Sequence, residues 1–279
     1  MGKSGKKIIF DWLSHQEQEK RYIFRLVYIT EKNDPTDELV NFLQSSIITS
    51  YRTIKLLKFH LDGDSESEIR QYVKNNIIPS DNTQTDRNVR QGDWGEILAA
   101  LIVSHFQNLV VPTNKLQWKV NKDKAVFGTD LIAYNSGDQI RDIYYYEVKT
   151  RLSPQNKEGK KPDRNYITII AHNTLLKDEN APTEIIADFL ERLYVSKSEL
   201  DEAKKFKDIV KNPQKYKKNF ELFFVLEKKN FGEFILEELN DLPPQLNPLN
   251  VTIVFIDDLK KLIDNTWKDI EDSLVTLLG

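Results

Sequence analysis

A strand, a turn and a second strand between residues 126 and 150 constrain the fold of this chain more than any other feature. The runs Val126–Tyr134 and Ile143–Tyr146 contain many β-branched and aromatic residues, which favour strands. Between them lies Asn135–Asp138, whose residue types favour a turn. The pattern predicts a β-hairpin, and therefore two antiparallel strands of one sheet.

Three charged side chains would meet in this hairpin. Asp130 lies on the first predicted strand, and Glu147 and Lys149 lie at the end of the second. Because side chains alternate along a strand, Glu147 and Lys149 project to the same face, and the hairpin would bring the Asp130 carboxylate beside that of Glu147. Two carboxylates at the end of a sheet form an oxygen-rich site for Mg²⁺ or Mn²⁺, and the lysine adds a fixed positive charge. This combination suits the hydrolysis of a phosphodiester.

The Glu-x-Lys triplet by itself is weak evidence, because 30% of the residues are charged and the pattern recurs. Glu158 falls in a loop rich in glycine and lysine, and Glu202 falls in a charged helical stretch. Glu227 ends an apolar strand, but the strand before it carries no aspartate after a glycine. The context therefore favours Glu147, and the alternative is a solvated Glu147–Lys149 pair on a surface strand.

A helix is predicted over residues 87–107, upstream of the hairpin. Its buried face is indicated by apolar residues and one histidine at helical spacing: Trp94, Ile97, Leu98, Leu101, Ile102 and His105. Glu96 follows Gly95 at the margin of this face. Alone it would be interpreted as a solvated glutamate. Together with the downstream carboxylates, it is a candidate for the same metal site.

These motifs resemble those of the PD-(D/E)XK nuclease superfamily, whose core is a helix, a three-stranded meander, a second helix and a further strand. The resemblance implies an α/β fold, restriction-endonuclease-like, with a mixed sheet flanked by helices. It implies that Asp130 and Glu147 bind the metal, with the Val148 carbonyl oxygen as a third ligand. Lys149 would orient or activate the attacking water, and Glu96 would complete the metal site.

A narrower resemblance covers most of the chain. The runs Arg90–Leu98, Gly128–Ile132 and Glu147–Arg151 resemble the HamA family, the nuclease subunits of the bacterial Hachiman anti-phage system, which work with a helicase, HamB. The resemblance implies a DNA-cleaving effector controlled by a helicase partner. One departure from the superfamily pattern is Thr129, which replaces the proline before the aspartate. Gly-x-Asp variants are familiar in the superfamily.

The charge of the chain bears on how it would hold DNA. With a net charge of −3, the chain lacks the excess of basic residues found in most autonomous DNA-binding proteins. The charge therefore fits better with a subunit that a partner protein holds on DNA. Local contacts to the phosphate backbone are expected from basic residues that follow the second strand of the hairpin, with a merely solvated basic loop as the alternative: Arg151, Lys157, Lys160, Lys161 and Arg164.

Composition limits the remaining possibilities. The absence of cysteine excludes disulfides and thiolate zinc sites and favours a reducing compartment. Apolar runs are short, and the apolar segment Ile8–Phe10 is too brief for a signal peptide. We therefore expect a cytoplasmic protein with no membrane segment.

Residues 79–86 are the clearest linker in the sequence. They predict an N-terminal accessory region over residues 1–80 and a nuclease domain over residues 86–279, with a C-terminal extension of a strand and a helix. Further strands are predicted over 21–29, 116–120, 166–171, 220–226 and 251–256. Further helices are predicted over 36–51 and 65–75, from 182 to beyond 201, and over 258–274.

Two other functions remain open. One is a catalytically inactive nuclease fold that serves as a scaffold or DNA-end sensor, although such a protein would not need Asp130, Glu147 and Lys149 together. The other is a stand-alone restriction or junction-resolving endonuclease, which would use the same residues.

Overall fold

The computed structural model describes residues 3–18, 21–124, 128–137, 139–155, 166–179 and 184–278. Within these residues the chain forms one seven-stranded sheet. Its strands are β1 (Leu13–Glu17), β2 (Arg25–Glu31), β3 (Leu109–Val110), β4 (Leu131–Asn135), β5 (Asp142–Arg151), β6 (Lys217–Leu226) and β7 (Leu249–Phe255).

The strand order is β1-β2-β7-β6-β5-β4-β3. The four inner strands β2, β7, β6 and β5 are parallel. At one end β1 pairs antiparallel with β2, and at the other end β4 and β3 continue antiparallel from β5. The sheet is therefore mixed, as the resemblance implied, and β5 has an antiparallel neighbour on one side and a parallel neighbour on the other.

Helices cover both faces of the sheet. They are α1 (Lys3–Trp12), α2 (Asp37–Tyr51), α3 (Ile54–His60), α4 (Glu66–Tyr72), α5 (Gln84–Phe106), α6 (Ile167–Glu179), α7 (Glu184–Ser196), α8 (Leu200–Lys211), α9 (Phe234–Asn240), α10 (Leu259–Trp267) and α11 (Ile270–Leu278). One hydrophobic core unites α2, α5, α10 and α11 with one face of the sheet. A second core unites α6 to α9 with the other face.

Side-chain caps fix several helix starts. The Thr36 hydroxyl accepts a hydrogen bond from the Leu39 amide at the start of α2, which agrees with the predicted start of that helix. Ser65 and Glu68 form a capping box at the start of α4, which confirms the predicted start of that helix. Thr83 caps α5, so this helix begins inside the predicted linker.

Two predicted strands are wrong. Residues 115–118 form a 3₁₀ turn rather than part of a strand. Residues 167–170, which belong to the predicted strand over 166–171, instead form the start of α6. The isoleucines there favour a strand locally. However, Ile167, Ala171 and Leu175 recur every four residues and are all buried, so packing on the sheet selects the helix.

Two predicted helices are each divided in two. A positive φ of 61° at Ser198 separates α7 from α8, and a φ of 50° at Asp269 separates α10 from α11. A left-handed residue ends a helix, and the sequence carries no glycine at either position to signal it. The first strand of the hairpin is also shorter than predicted, because β4 begins at Leu131, after Asp130.

The segment before residue 80 contributes to the same sheet and core as the rest of the chain. It supplies β1 and β2, and β2 pairs with β7 near the other end of the sequence. Its role as an accessory to a nuclease domain stays a prediction. In the part of the chain that the structure describes, no helix combines the length and apolar character needed to span a membrane.

Candidate metal centre

The predicted hairpin is present and brings Asp130 to β5. In the antiparallel pair β4–β5, Leu131 lies opposite Tyr146. Asp130 therefore lies immediately before the paired region, at the level of Glu147 in β5. The Val148 amide donates a hydrogen bond to Asp130 Oδ2 at 2.8 Å, which fixes this carboxylate against the strand.

Glu147 and Lys149 share one face of β5, as the alternation of side chains predicted. The Lys149 ammonium hydrogen-bonds Glu147 Oε1 and lies 3.9 Å from Asp130 Oδ2. Glu147 is only 1% exposed. Burial and the nearby charge of Asp130 raise the pKa of Glu147 to about 7, although Lys149 acts in the opposite direction. A buried carboxylate with such a pKa is typical of functional sites.

Helix α5 approaches β5 very closely, which brings Glu96 into the same cluster. A Cβ atom on Gly95 would lie 1.8 Å from Thr150 Oγ1, so only glycine fits at this crossing. The side chain of the next residue, Glu96, is only 15% exposed. Its pKa is raised well above the usual value, first by burial and then by the charge of Asp130.

Lys115 completes the cluster and was missed by the sequence analysis. It is the first residue of the 3₁₀ turn Lys115–Trp118. Its Nζ atom lies 2.5 Å from Asp130 Oδ1 and 3.4 Å from Glu96 Oε1. Burial opposes the charge of Lys115, but the two carboxylates outweigh it and raise the pKa of Lys115. No motif surrounds this lysine in the sequence, and its partners belong to other elements.

A buried polar network lies one turn from Glu96 along α5. Lys119 Nζ lies 2.5 Å from Asp93 Oδ2, and the Tyr51 hydroxyl donates to the same oxygen. Burial raises the pKa of Asp93, even though Lys119 and Tyr51 both lower it. Because Lys119 directly follows the 3₁₀ turn, this network ties the segment that carries Lys115 to helices α5 and α2.

The chemistry of the donor set fits a hard divalent cation. Glu96 Oε2 and Glu147 Oε2 are buried and have no hydrogen-bond partner. Buried carboxylate oxygens normally have a hydrogen-bond partner, and coordination to a bound cation would take the place of that hydrogen bond. Among the described residues, however, no three acidic or histidine side chains stand close enough to hold a metal ion as they are placed. The ammonium groups of Lys115 and Lys149 lie against these carboxylates instead.

Comparison with protein families identifies the chain. The family model for HamA matches residues 7–277, nearly the whole sequence. The chain belongs to the HamA family. It is therefore a Hachiman-system defence protein. No protein of curated function shows significant similarity to it.

The predicted DNA-binding residues of this HamA-family protein are only partly within the described structure. Arg151 ends β5, and its guanidinium contacts the Thr150 carbonyl oxygen at 3.4 Å. The remaining four lie outside the described residues: Lys157, Lys160, Lys161 and Arg164. The rival motif at Glu227 forms a separate pair with Lys229, at 2.8 Å.

Proposed function

We propose that this HamA-family protein is a metal-dependent nuclease that hydrolyses phosphodiester bonds of DNA, with a PD-(D/E)XK active site. One observation carries the proposal. Three carboxylates and two lysines from four separate segments converge on one partly buried cluster: Glu96, Lys115, Asp130, Glu147 and Lys149. Burying so many charged groups is costly for folding, and a catalytic role accounts for that cost.

Each residue has a distinct role in this proposal. Asp130, Glu147 and Glu96 would hold Mg²⁺ or Mn²⁺, with the Val148 carbonyl oxygen as a further ligand. The bound cation would supply positive charge next to the scissile phosphate and lower the pKa of water. Lys149 would donate a hydrogen bond to the attacking water and stabilise negative charge on the phosphate. Arg151, at the end of the same strand, would contact the DNA backbone.

Lys115 lies between Glu96 and Asp130, which are two of the proposed ligands. Its ammonium offsets the repulsion between these two carboxylates. If Glu96 and Asp130 held a cation, the cation would supply that positive charge, and the Lys115 ammonium would be available to neutralise negative charge on the phosphate.

The chain would act together with a helicase, as the HamA resemblance implies. A net charge of −3 gives little general attraction for DNA, whose non-specific binding depends on the neutralisation of phosphates. A helicase partner would deliver the DNA to the active site. It would also keep the site inactive until DNA is engaged.

A second function is favoured by the same lysines. Because Lys115 and Lys149 already occupy the carboxylates, the cluster could be purely structural, in a scaffold or DNA-end sensor that binds no metal. This alternative predicts that divalent cations neither bind nor promote cleavage.

The test is cleavage of labelled DNA by the purified chain, with and without Mg²⁺ and with and without a HamB-family helicase. We expect the Glu147→Ala/Lys149→Ala variant to lose at least about 100-fold in cleavage rate, as removal of one electrostatic stabiliser typically does. Glu227→Ala/Lys229→Ala removes the rival pair and is the matched control. Equal rates for the parent and the Glu147/Lys149 variant, at matched metal and salt, would exclude the proposed site.

A further inference from the structure

A cavity of about 270 Å³ opens beside the charged cluster. Asp130 and Lys115 form part of its wall, so it is continuous with the candidate metal centre. The rest of the wall is mainly apolar and includes Pro112, Leu131 and Ile132. Small-molecule pockets usually begin at about 300 Å³, so this cavity suits one heterocyclic ring system rather than a whole cofactor.

Two aromatic side chains, Trp118 and Phe189, line the cavity. Trp118 and Phe189 meet edge to face, with ring centroids 5.5 Å apart and an angle of 88° between the planes. Such a contact holds the indole without covering it as a stack would. Trp118 is 45% exposed, although a large aromatic side chain is normally buried. The cavity therefore presents uncovered aromatic surface next to the acidic cluster.

The position of Trp118 relative to Lys115 is fixed by their shared 3₁₀ turn, Lys115–Trp118. The turn is anchored in the protein by the buried ion pair of the following residue, Lys119, with Asp93. An ammonium group and an aromatic ring are thus held together on one short segment. A nucleotide carries the matching pair of groups, an anionic phosphate and a flat aromatic base.

We propose that this cavity binds an unstacked nucleobase of the strand being cleaved, and that the substrate is therefore single-stranded DNA. The proposal rests on the proposed nuclease function, because it assigns the adjacent cluster to the scissile phosphate. The base stacks against Trp118, while the phosphate next to it lies at Lys115 and the carboxylates. In an intact duplex every base is paired and stacked, so entry would require the base to be flipped out at a cost.

The test measures binding in Ca²⁺ with a fluorescently labelled strand of about ten nucleotides, within the size range of single-strand sites. A strand of the same length in which every base is replaced by an abasic unit carries the same charge. We expect the full-length protein to bind the normal strand about 5- to 150-fold more tightly than the abasic strand, the range given by loss of a base–aromatic stack.

Three variants identify the source of that preference. Trp118→Ala should bind both strands with equal affinity, whereas Trp118→Phe should keep most of the preference. Phe59→Ala removes another exposed aromatic side chain, 82% exposed on α3, and should behave like the parent. If the parent binds both strands equally, or if Trp118→Ala keeps the preference, the base site is excluded. The comparison of two strands on the parent protein needs no variant to fold.

A parallel cleavage assay in Mg²⁺ separates this proposal from the nuclease function. Cleavage without any preference for the normal strand over the abasic strand would support the nuclease function and exclude the base pocket. A Trp118-dependent preference for the normal strand, with no cleavage either with or without the helicase, would support the base pocket and exclude the nuclease function. Preference for a duplex of the same length over the single strand would contradict the substrate class.

Discussion

At the scale of single residues, burial influences protonation as strongly as ion pairing does in this protein. Glu147 and Asp93 each contact a lysine, yet the pKa of both carboxyl groups is raised. The reason is that loss of hydration disfavours the charged form more than the lysine restores it. Glu221, on β6, is a case outside the candidate metal centre. Burial raises its pKa to about 7, while Thr252 and Arg25 lower it.

Glu221 provides a prediction about stability and pH. Its folded-state pKa of about 7 exceeds the ordinary value of 4.5, so between these limits the folded protein binds more protons than the unfolded chain. Its contribution to stability is therefore greatest at low pH and is lost as the pH rises toward 7. We expect urea unfolding to show a decrease of about 1–3 kcal/mol from this group between pH 5 and 7.5.

The Glu221→Gln variant should lack this part of the pH dependence. The exposed Asp62→Asn variant is the control and should keep the full dependence of the parent. Parallel curves for Glu221→Gln and the parent would mean that Glu221 has the same pKa in both states.

At the scale of elements, the crossing of α5 over β5 positions the candidate site. Gly95 has no room for a Cβ atom because Thr150 Oγ1 would lie 1.8 Å away. Gly95→Ala should therefore push the helix from the strand and cost about 1–3 kcal/mol in unfolding free energy, as overpacking does. Because Glu96 moves with the helix, divalent-cation binding should weaken as well.

Gly92 on the same helix provides the matched control for this substitution. A Cβ atom there would meet nothing within 4 Å. Gly92→Ala should therefore be neutral, or stabilise the helix by about 0.5–1 kcal/mol through its higher helix propensity. Thermal or urea unfolding of both variants is the measurement. Equal stability of the two would show that the helix can shift without cost.

The elements that were predictable from sequence depend on nearby residues. The Thr36 cap, the capping box of Ser65 and the β4–β5 hairpin all use partners within a few residues or one turn, so local patterns reveal them. The helix at Ile167 was not predictable in this way, because packing against the sheet selected it over local preference.

The residues of the candidate site also differ in how far local sequence patterns could predict them. Asp130, Glu147 and Lys149 were predictable because a hairpin and strand alternation relate them. Glu96 needed the family motif, since Gly95-Glu96 has no local geometry that points to the hairpin. Lys115 lies on an irregular segment whose position depends on the distant Asp93–Lys119 pair, and nothing local indicates it.

At the scale of the whole molecule, the two ends of the sequence form one structure. β2 contributes to the parallel part of the sheet through β7, and α2 shares a core with α10 and α11. A fragment of residues 81–279 would expose the edge of β7 and the apolar faces of these two helices. Exposed edges and faces of this kind promote aggregation.

We therefore expect the 81–279 fragment to be insoluble or to lack a cooperative unfolding transition, in contrast to the full chain with the same tag. Gel filtration and thermal unfolding monitored by circular dichroism are the measurements. A soluble monomer that unfolds cooperatively would instead establish residues 81–279 as an independent domain.

The pairing of β2 with β7 also has a consequence for biosynthesis. β7 lies between β2 and β6 in the sheet, yet it is the last strand to be translated. The proposed catalytic residues, from Glu96 to Lys149, are all synthesised about a hundred residues earlier. At a translation rate of about 5–20 residues per second, β7 would be synthesised several seconds after these residues. A polypeptide truncated before β7 by premature termination would thus carry every proposed catalytic residue but lack the strand that joins β2 to the rest of the sheet.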